Sequence, residues 1–134
     1  MISKNIFLRV QYNEVDKMGY VYYGHYAKYF EVARVELFRS MGISYKSMED
    51  QRGLIMPVRD FSCRYIKPNY YDDLLKITTE VKAKGLYELV FYHKIFNPQE
   101  ILTTKAQVVL VLVDKKEKKI SSFPKDIKEK LDLL

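Results

Sequence analysis

The residues best suited to chemistry lie in one short segment, from Tyr12 to Tyr26, that precedes a predicted helix. Asp16 in this segment is a carboxylate at neutral pH, and carboxylates act as general bases or as nucleophiles. The first turn of a helix leaves backbone N–H groups without partners, and such groups can polarise a carbonyl or hold an oxyanion. Together these parts suit acyl-transfer chemistry. On spacing alone, however, a turn residue is the more frequent role for such an aspartate.

A strand and a helix are predicted to position this segment. Residues Phe7–Tyr12 precede it and are predicted to form a short strand. From Tyr26 to Met41 apolar residues recur at spacings of three and four, which predicts a helix, and Gly42 predicts its end. Apolar residues cover more than half of the helix circumference, so we expect other structure to wrap around it.

Alternating apolar and polar residues predict strands in the second half of the chain. The predicted ranges are 61–65, 75–83, 88–96 and 101–113, and the last of them is apolar on both faces and is expected to be central. Turn residues such as Gly85 join neighbouring strands as hairpins, which predicts an antiparallel sheet. A short helix is predicted from Pro124 to about Leu133. The expected fold class is α+β, with one domain over residues 1–134.

Composition excludes several classes of protein. A chain of 134 residues with 48% hydrophobic content fits one folded domain. Its longest apolar run, Val108–Val113, is far shorter than the roughly 20 residues that a membrane-spanning helix needs. No export signal is expected, so a cytoplasmic location is predicted. The formal charge of +6 suits an acidic partner or a phosphorylated small molecule, or it is simply a solvated, lysine-rich surface.

The single cysteine and the two histidines predict no metal site and no disulfide. Cys63 cannot pair within the chain, and His25 and His93 are far apart in sequence. Cys63 with either histidine is a conceivable nucleophilic pair. Cys63, however, falls in the apolar phase of its strand, which predicts a buried, inert thiol. His93 shares its phase with apolar residues and is expected in the core or at an interface.

Four motifs occur along the chain in an order that points to one family. They are Tyr12-x-Glu14-x-Asp16-x-x-Gly19-x-Val21, Phe30-Glu31-x-x-Arg34-x-Glu36-Leu37 with Gly42, Tyr65-x-x-Pro68-x-x-x-Asp72-Asp73-x-Leu75, and Phe123-Pro124-x-x-Ile127. This series resembles the hotdog-fold acyl-CoA thioesterases, most nearly the 4-hydroxybenzoyl-CoA thioesterase and YbgC-like branch. The resemblance covers nearly the whole chain. It implies a hotdog fold, in which an antiparallel sheet wraps around a long central helix.

The resemblance also implies an activity and site residues. Asp16 matches the family's catalytic aspartate, as nucleophile or as general base, and the substrate is an aliphatic or aromatic acyl-CoA. The backbone N–H of Tyr23 or Gly24 matches the donor to the thioester carbonyl. Many members have a histidine where this chain has Tyr23, and His25, two positions further on, is the candidate catalytic residue that would take the place of that histidine. Two other carboxylates compete with Asp16, namely Glu14 and Glu31, because some hotdog thioesterases carry their acid on the helix.

Binding partners follow from the same resemblance. The coenzyme A phosphates are expected to bind basic residues, for which the candidates are Arg59, Lys82 and Lys84, together with Arg64 and Lys94. Coenzyme A is part of the substrate, so no cofactor is expected. At least a homodimer is expected, with the active site at the interface between two sheets joined edge to edge, and a homotetramer is the predicted assembly.

Three alternatives remain at this stage. The carrier could be an acyl-carrier protein instead of coenzyme A, or the chain could bind acyl thioesters without hydrolysing them. A nucleic-acid-binding module would also use basic residues and tyrosines. The positive residues are dispersed among acidic ones, however, and no RNA-binding motif is present. We therefore expect no nucleic-acid partner.

Overall fold

One long helix and one antiparallel sheet form most of the computed structural model, which describes residues 2–131. In chain order the elements are β1 (Ile2–Arg9), α1 (Tyr26–Ser40), α2 (Tyr45–Arg52), β2 (Leu54–Ile55), β3 (Val58–Tyr65), β4 (Leu74–Lys84), β5 (Glu88–Phe96), β6 (Leu102–Val111), β7 (Val113–Asp114), β8 (Lys119–Ile120) and α3 (Lys125–Lys130). The main sheet has the strand order β1-β4-β5-β6-β3, and β2, β7 and β8 form a small second sheet. The predicted α+β class and hotdog arrangement are confirmed.

Helix α1 occupies nearly the predicted range and ends as expected. Gly42 has a φ of 77°, which glycine adopts without strain, and the backbone N–H of Ile43 donates back to the Phe38 carbonyl at 2.8 Å. The face toward the sheet is fully buried and comprises Tyr26, Tyr29, Phe30, Ala33, Arg34, Leu37 and Phe38. Val32, on the opposite face, is 39% exposed. The expectation that other structure surrounds the helix is therefore only partly correct for this chain alone.

The predicted strands in the second half of the chain are present in antiparallel pairs, β4 with β5 and β5 with β6. The middle strand is β5 rather than β6, which lies between β5 and the edge strand β3. The predicted range 101–113 is interrupted after Val111, where the chain leaves the main sheet and β7 joins the small sheet. The apolar run therefore predicted the burial of β6 correctly, but it did not predict where β6 lies in the order of strands.

The N-terminal strand ends earlier than predicted. Strand β1 stops at Arg9, and residues 12–14 form a 3-10 turn instead of extending the strand. The Glu14 carboxylate accepts the backbone N–H of Gln11 at 2.8 Å, while the Glu14 N–H donates to the Gln11 carbonyl at 3.0 Å. This reciprocal pair closes the turn and separates the strand from the chemistry-bearing segment.

Two short helices, α2 and α3, flank the series of strands from β2 to β8. Helix α2 begins after Ser44, whose hydroxyl accepts the N–H of Ser47 at 3.1 Å, and ends at Gly53 with a φ of 64°. Helix α3 begins after Pro124, which is its N-cap residue. The range predicted for this helix continues to Leu133, which lies outside the described residues. Within residues 2–131, no helix is long and apolar enough to cross a membrane.

Candidate active site

Asp16 forms a tight turn and keeps part of its carboxylate free. Its Oδ1 accepts the backbone N–H groups of Met18 at 2.8 Å and Tyr20 at 3.3 Å, and its own N–H donates to the Tyr20 carbonyl at 2.9 Å. Gly19 completes the turn with a φ of 79°. The Oδ2 atom accepts no hydrogen bond from residues 2–131, and the side chain is exposed. Asp16 therefore has the predicted turn role and also a carboxylate oxygen available for chemistry.

The neighbouring carboxylate, Glu14, anchors this turn to helix α1. It is 3% exposed, accepts the Tyr29 hydroxyl at 2.9 Å and forms an ion pair with Lys28. Burial raises the pKa of Glu14, but the hydrogen bonds from Lys28, the Gln11 N–H and Tyr29 outweigh it, so the pKa lies below its ordinary value. Both of its carboxylate oxygens accept hydrogen bonds from neighbouring groups of the chain. Glu14 is therefore a structural group rather than a rival to Asp16.

The start of helix α1 supplies backbone donors beside this turn. Residues 23–25 form a 3-10 turn that leads directly into α1, and the N–H of Tyr22 donates to the Glu14 carbonyl at 2.9 Å. Within the described range, the N–H groups of Tyr23 and Gly24 donate to no protein acceptor. Unpaired donors at a helix N-terminus favour bound negative charge. The backbone role predicted for Tyr23 and Gly24 is thus geometrically available.

His25 lies at the same helix start, and among residues 2–131 its ring has packing contacts but no hydrogen-bond partner. Its ring packs edge-on against Tyr22, with centroids 5.9 Å apart, and makes no hydrogen bond there to a side chain. Gly24 has a tighter environment. A Cβ at this position would lie 2.7 Å from a ring carbon of Tyr22. The Tyr22 ring therefore covers Gly24 closely, which a larger residue would not permit.

Two tyrosines line a cleft with Asp16, and they were not among the site residues predicted from the sequence. An open cleft of about 670 Å³ is lined by Tyr12, Val15, Asp16, Lys17, Gly19 and Tyr71. The rings of Tyr12 and Tyr71 meet edge to face at 5.4 Å, and both side chains are exposed. The backbone of residues 69–71 holds this wall in place, because the Val21 N–H donates to the Asn69 carbonyl at 2.8 Å. In the sequence, the neighbouring residues Tyr70 and Tyr71 were the feature that could have indicated this aromatic wall.

The three basic residues predicted to bind phosphate lie far from Asp16 within one chain. Asp16 is close to the segment that leads into the start of β4, whereas Lys82 and Lys84 are near its other end. The eleven residues from Leu74 to Lys84 span ten residue steps, roughly 33 Å, in an extended strand. Arg59 forms an ion pair with Glu88, which is the cross-strand neighbour of Lys84. These three residues therefore form their own group at the opposite end of the sheet.

Cys63 and His93 do not form a nucleophilic pair. The register places Cys63 opposite Ala106 and Ala106 opposite His93, so two strand spacings, roughly 10 Å, separate them. His93 Nδ1 lies 2.9 Å from the Thr79 hydroxyl, and burial, together with the charge of Arg34, lowers the pKa of His93 to about 3. Burial raises the pKa of the Cys63 thiol. Within residues 2–131, no group of three or more His, Cys, Asp or Glu side chains could hold a metal ion.

Comparison with known proteins agrees with this architecture. Residues 10–131 match the family model described as the thioesterase-like superfamily. This chain belongs to the thioesterase-like superfamily. The putative acyl-CoA thioesterase YneP of Bacillus subtilis is 33% identical over 118 residues, which cover 88% of this chain and 85% of YneP.

Two further relatives cover most of the chain. The acyl-CoA thioester hydrolase YbgC of Escherichia coli O157:H7 is 33% identical over 120 residues, covering 90% of this chain and 89% of YbgC. The crystal structure of a DHNA-CoA thioesterase from Staphylococcus aureus superposes with a TM-score of 0.93 at 32% identity, covering 99% of this chain and 91% of that one. The family and the enzyme class expected from the sequence are confirmed.

Proposed function

We propose that this thioesterase hydrolyses the thioester of an acyl-CoA, with an aliphatic or aromatic acyl group, at the Asp16 turn. One observation carries the proposal. Within residues 2–131, a carboxylate with one free oxygen lies on a turn that is hydrogen-bonded to the segment entering α1, where the N–H groups of Tyr23 and Gly24 donate to no acceptor. The names of the YneP and YbgC relatives support the same substrate class.

The reaction follows from these groups. The thioester carbonyl oxygen accepts the free N–H groups at the start of α1, which stabilise the negative charge that develops on it. Asp16 either attacks the carbonyl carbon or removes a proton from an attacking water, and both routes require its ionised form. In the general-base route the water oxygen bonds to the carbonyl carbon, the C–S bond breaks, and the proton that Asp16 took from the water passes to the coenzyme A sulfur. In the nucleophilic route the Asp16 oxygen bonds to the carbonyl carbon and the thiolate leaves; a water then hydrolyses the resulting anhydride, which releases the acid, restores Asp16 and supplies the proton for the sulfur. These steps need no cofactor.

Self-association through β3 would complete the site. Strand β3 is an edge of the main sheet, and its apolar residues Val58, Phe61 and Tyr65 are exposed. Two β3 edges paired antiparallel across a twofold axis place the Val58 end of one strand beside the Tyr65 end of the other. Tyr65 packs against Tyr26 at the start of α1, with ring centroids 5.1 Å apart. The dimer therefore brings basic residues of one protomer toward the Asp16 turn of its partner.

Coenzyme A phosphates are proposed to bind at this junction. Arg59 lies beside Val58, and Lys82 and Lys84 are at the same end of the sheet. Their distance from Asp16 within one chain is thus compatible with a shared site in the dimer. The exposed Val32 face of α1 offers a second surface for self-association, and a homotetramer is the proposed assembly. A single cysteine without a disulfide suits the proposed cytoplasmic location.

A substrate panel tests the proposal. Thiol release is measured with aliphatic and aromatic acyl-CoAs, with a correction for Cys63, for the wild type and for Asp16→Asn. Hydrolysis by the wild type that falls at least a hundredfold in the variant supports the proposed site. Equal turnover by both proteins would show that Asp16 takes no part in the hydrolysis.

The two carriers are distinguished with the same acyl group. Hydrolysis of the acyl-carrier-protein ester in preference to the CoA ester would favour the acyl-ACP alternative. Saturable binding of acyl-CoA without turnover would identify a non-catalytic binder. No binding to oligonucleotides is expected, because the cations of the sheet are interspersed with acids such as Glu80 and Glu88.

A further inference from the structure

A buried arginine in the middle of helix α1 has no counter-ion. Arg34 is only 5% exposed, and no carboxylate of the described residues lies within salt-bridge distance of it. Its Nε is buried and has no hydrogen-bond acceptor among the described residues. A buried charge without a partner is unfavourable, because the protein interior does not replace the lost hydration. An anion would supply the acceptor that Nε lacks at this position.

A second unsatisfied donor lies beside Arg34. The hydroxyl of Tyr45, at the start of α2, is buried and has no partner in the described range. Burial raises the pKa of Tyr45 to about 12, so this hydroxyl keeps its proton at neutral pH. The Arg34 guanidinium is held from the other side by the Phe91 ring, whose centroid is 5.8 Å away. The Arg34 guanidinium and the Tyr45 hydroxyl thus adjoin each other, and no carboxylate of residues 2–131 hydrogen-bonds either of them.

Both side chains line a cavity of about 340 Å³ between α1, α2 and the segment from β2 to β3. Most of its wall is apolar and comprises Met48, Leu54, Ile55, Met56, Pro57, Val58 and Leu110. The acids Glu31 and Glu49 also line it, but both are exposed, so solvent screens their charges. The volume lies within the roughly 300–1,000 Å³ of small-molecule pockets, which combine apolar walls with a few fixed polar groups.

We propose that this cavity binds a small monocarboxylic acid, whose carboxylate accepts hydrogen bonds from Arg34 and Tyr45 and whose apolar body contacts Met48 and Leu54. The choice of a carboxylic acid rests on the proposed function, because thioester hydrolysis releases one. Among the described residues, Arg34 is the one basic residue in the cavity lining and balances one negative charge, so a monocarboxylate fits the cavity better than a dicarboxylate or phosphate. Arg34 lies ten residues beyond Gly24, about 15 Å along the helix, so within one chain the cavity is separate from the Asp16 turn.

Equilibrium binding of benzoate and hexanoate tests this proposal, with benzamide and hexanamide as uncharged controls of the same shape. Titration calorimetry is carried out on the wild type, Arg34→Met, Tyr45→Phe and Asp16→Asn. We expect both acids to bind the wild type at least tenfold more tightly than the amides. Arg34→Met should lose that preference, Tyr45→Phe should weaken acid binding severalfold, and Asp16→Asn should leave it unchanged.

Arg34→Met keeps the length of the side chain and removes the buried charge, so we expect it to fold, and its thermal unfolding is recorded alongside. Acid binding that survives in a folded Arg34→Met, or that Asp16→Asn abolishes, assigns the acid to another site and overturns the proposal. Absence of binding in the wild type also overturns it. Dissociation of the oligomer in Arg34→Met, without acid binding in the wild type, would identify a carboxylate of a second copy as the occupant.

The outcome is independent of the hydrolysis assay. Acid binding that depends on Arg34, in a protein that hydrolyses no thioester, would preserve the cavity site and reject the proposed function. Hydrolysis without acid binding would do the reverse.

Discussion

The Tyr29 hydroxyl donates a hydrogen bond of 2.9 Å to the buried Glu14 carboxylate, and this bond joins the segment before Asp16 to helix α1. The same carboxylate accepts the Gln11 N–H, and the Glu14 carbonyl accepts the Tyr22 N–H. Glu14 thus fixes both strands of the hairpin that presents Asp16. The position of the proposed catalytic carboxylate depends on a neighbour that does no chemistry itself.

Tyr29→Phe is expected to destabilise the fold by about 1–3 kcal/mol, because it removes one hydrogen bond to a buried charged group.

Glu14→Gln keeps the shape of the side chain but removes its charge. Since the pKa of Glu14 is lowered in the folded state, its ionisation stabilises the protein above its ordinary value near 4.5 and less as pH falls through the folded pKa. Urea unfolding from pH 3 to 7 should show this acid-dependent loss in the wild type and less of it in Glu14→Gln.

Asp16→Asn should retain the turn, because the asparagine Oδ1 can accept the same N–H groups of Met18 and Tyr20. Asp16→Ala removes both acceptors, so it should destabilise the turn as well as abolish hydrolysis. We expect the melting temperature of Asp16→Asn to stay within about 2 °C of the wild type and that of Asp16→Ala to fall further. Equal melting temperatures for the two variants would contradict the structural role of the carboxylate.

Much of this architecture could be predicted from sequence because it depends on local patterns. Gly42 and Ile43 marked the end of α1, and alternation located β4 and β5. The separation of Arg59 from Asp16 could not be predicted, because it depends on strand order and register. The isolation of Arg34 was also hidden, since a helical arginine three residues after Glu31 reads as half of a surface ion pair. Only packing against Phe91 and Tyr45 shows that it is buried.

Gly24→Ala tests the helix start directly. The new Cβ would lie 2.7 Å from a side-chain ring carbon of Tyr22, so the ring must move, and it moves next to the backbone that carries the N–H groups of Tyr23 and Gly24. Because Tyr22 is exposed and can shift, we expect a small loss of stability but at least a tenfold fall in kcat. Gly53→Ala is the control, because its φ of 64° imposes backbone strain away from the site with no steric contact. It should destabilise the protein and leave kcat unchanged.

Phe61→Glu tests the proposed β3 interface. Phe61 is 39% exposed on the edge strand, and a charge there would be buried in a β3–β3 dimer. We expect the variant to sediment as a smaller species than the wild type in analytical ultracentrifugation. Ile120→Glu is the matched control, because Ile120 is also exposed but lies in β8 of the small sheet. Identical sedimentation of the wild type and both variants would rule out association through β3.

His93 should make stability depend on pH from about 6.5 downward, so its effect begins above the range in which Glu14 acts. Its pKa is lowered to about 3 by burial and by Arg34, so the unfolded chain binds a proton near pH 6.5 that the folded protein does not. Stability is therefore complete above pH 6.5 and declines as pH falls, with a slope approaching about 1.4 kcal/mol per pH unit. His93→Gln can still hydrogen-bond Thr79 but does not titrate. Urea unfolding at pH 5 and pH 7 should therefore differ in the wild type by more than in His93→Gln, and an equal difference would show that His93 is protonated in the folded protein.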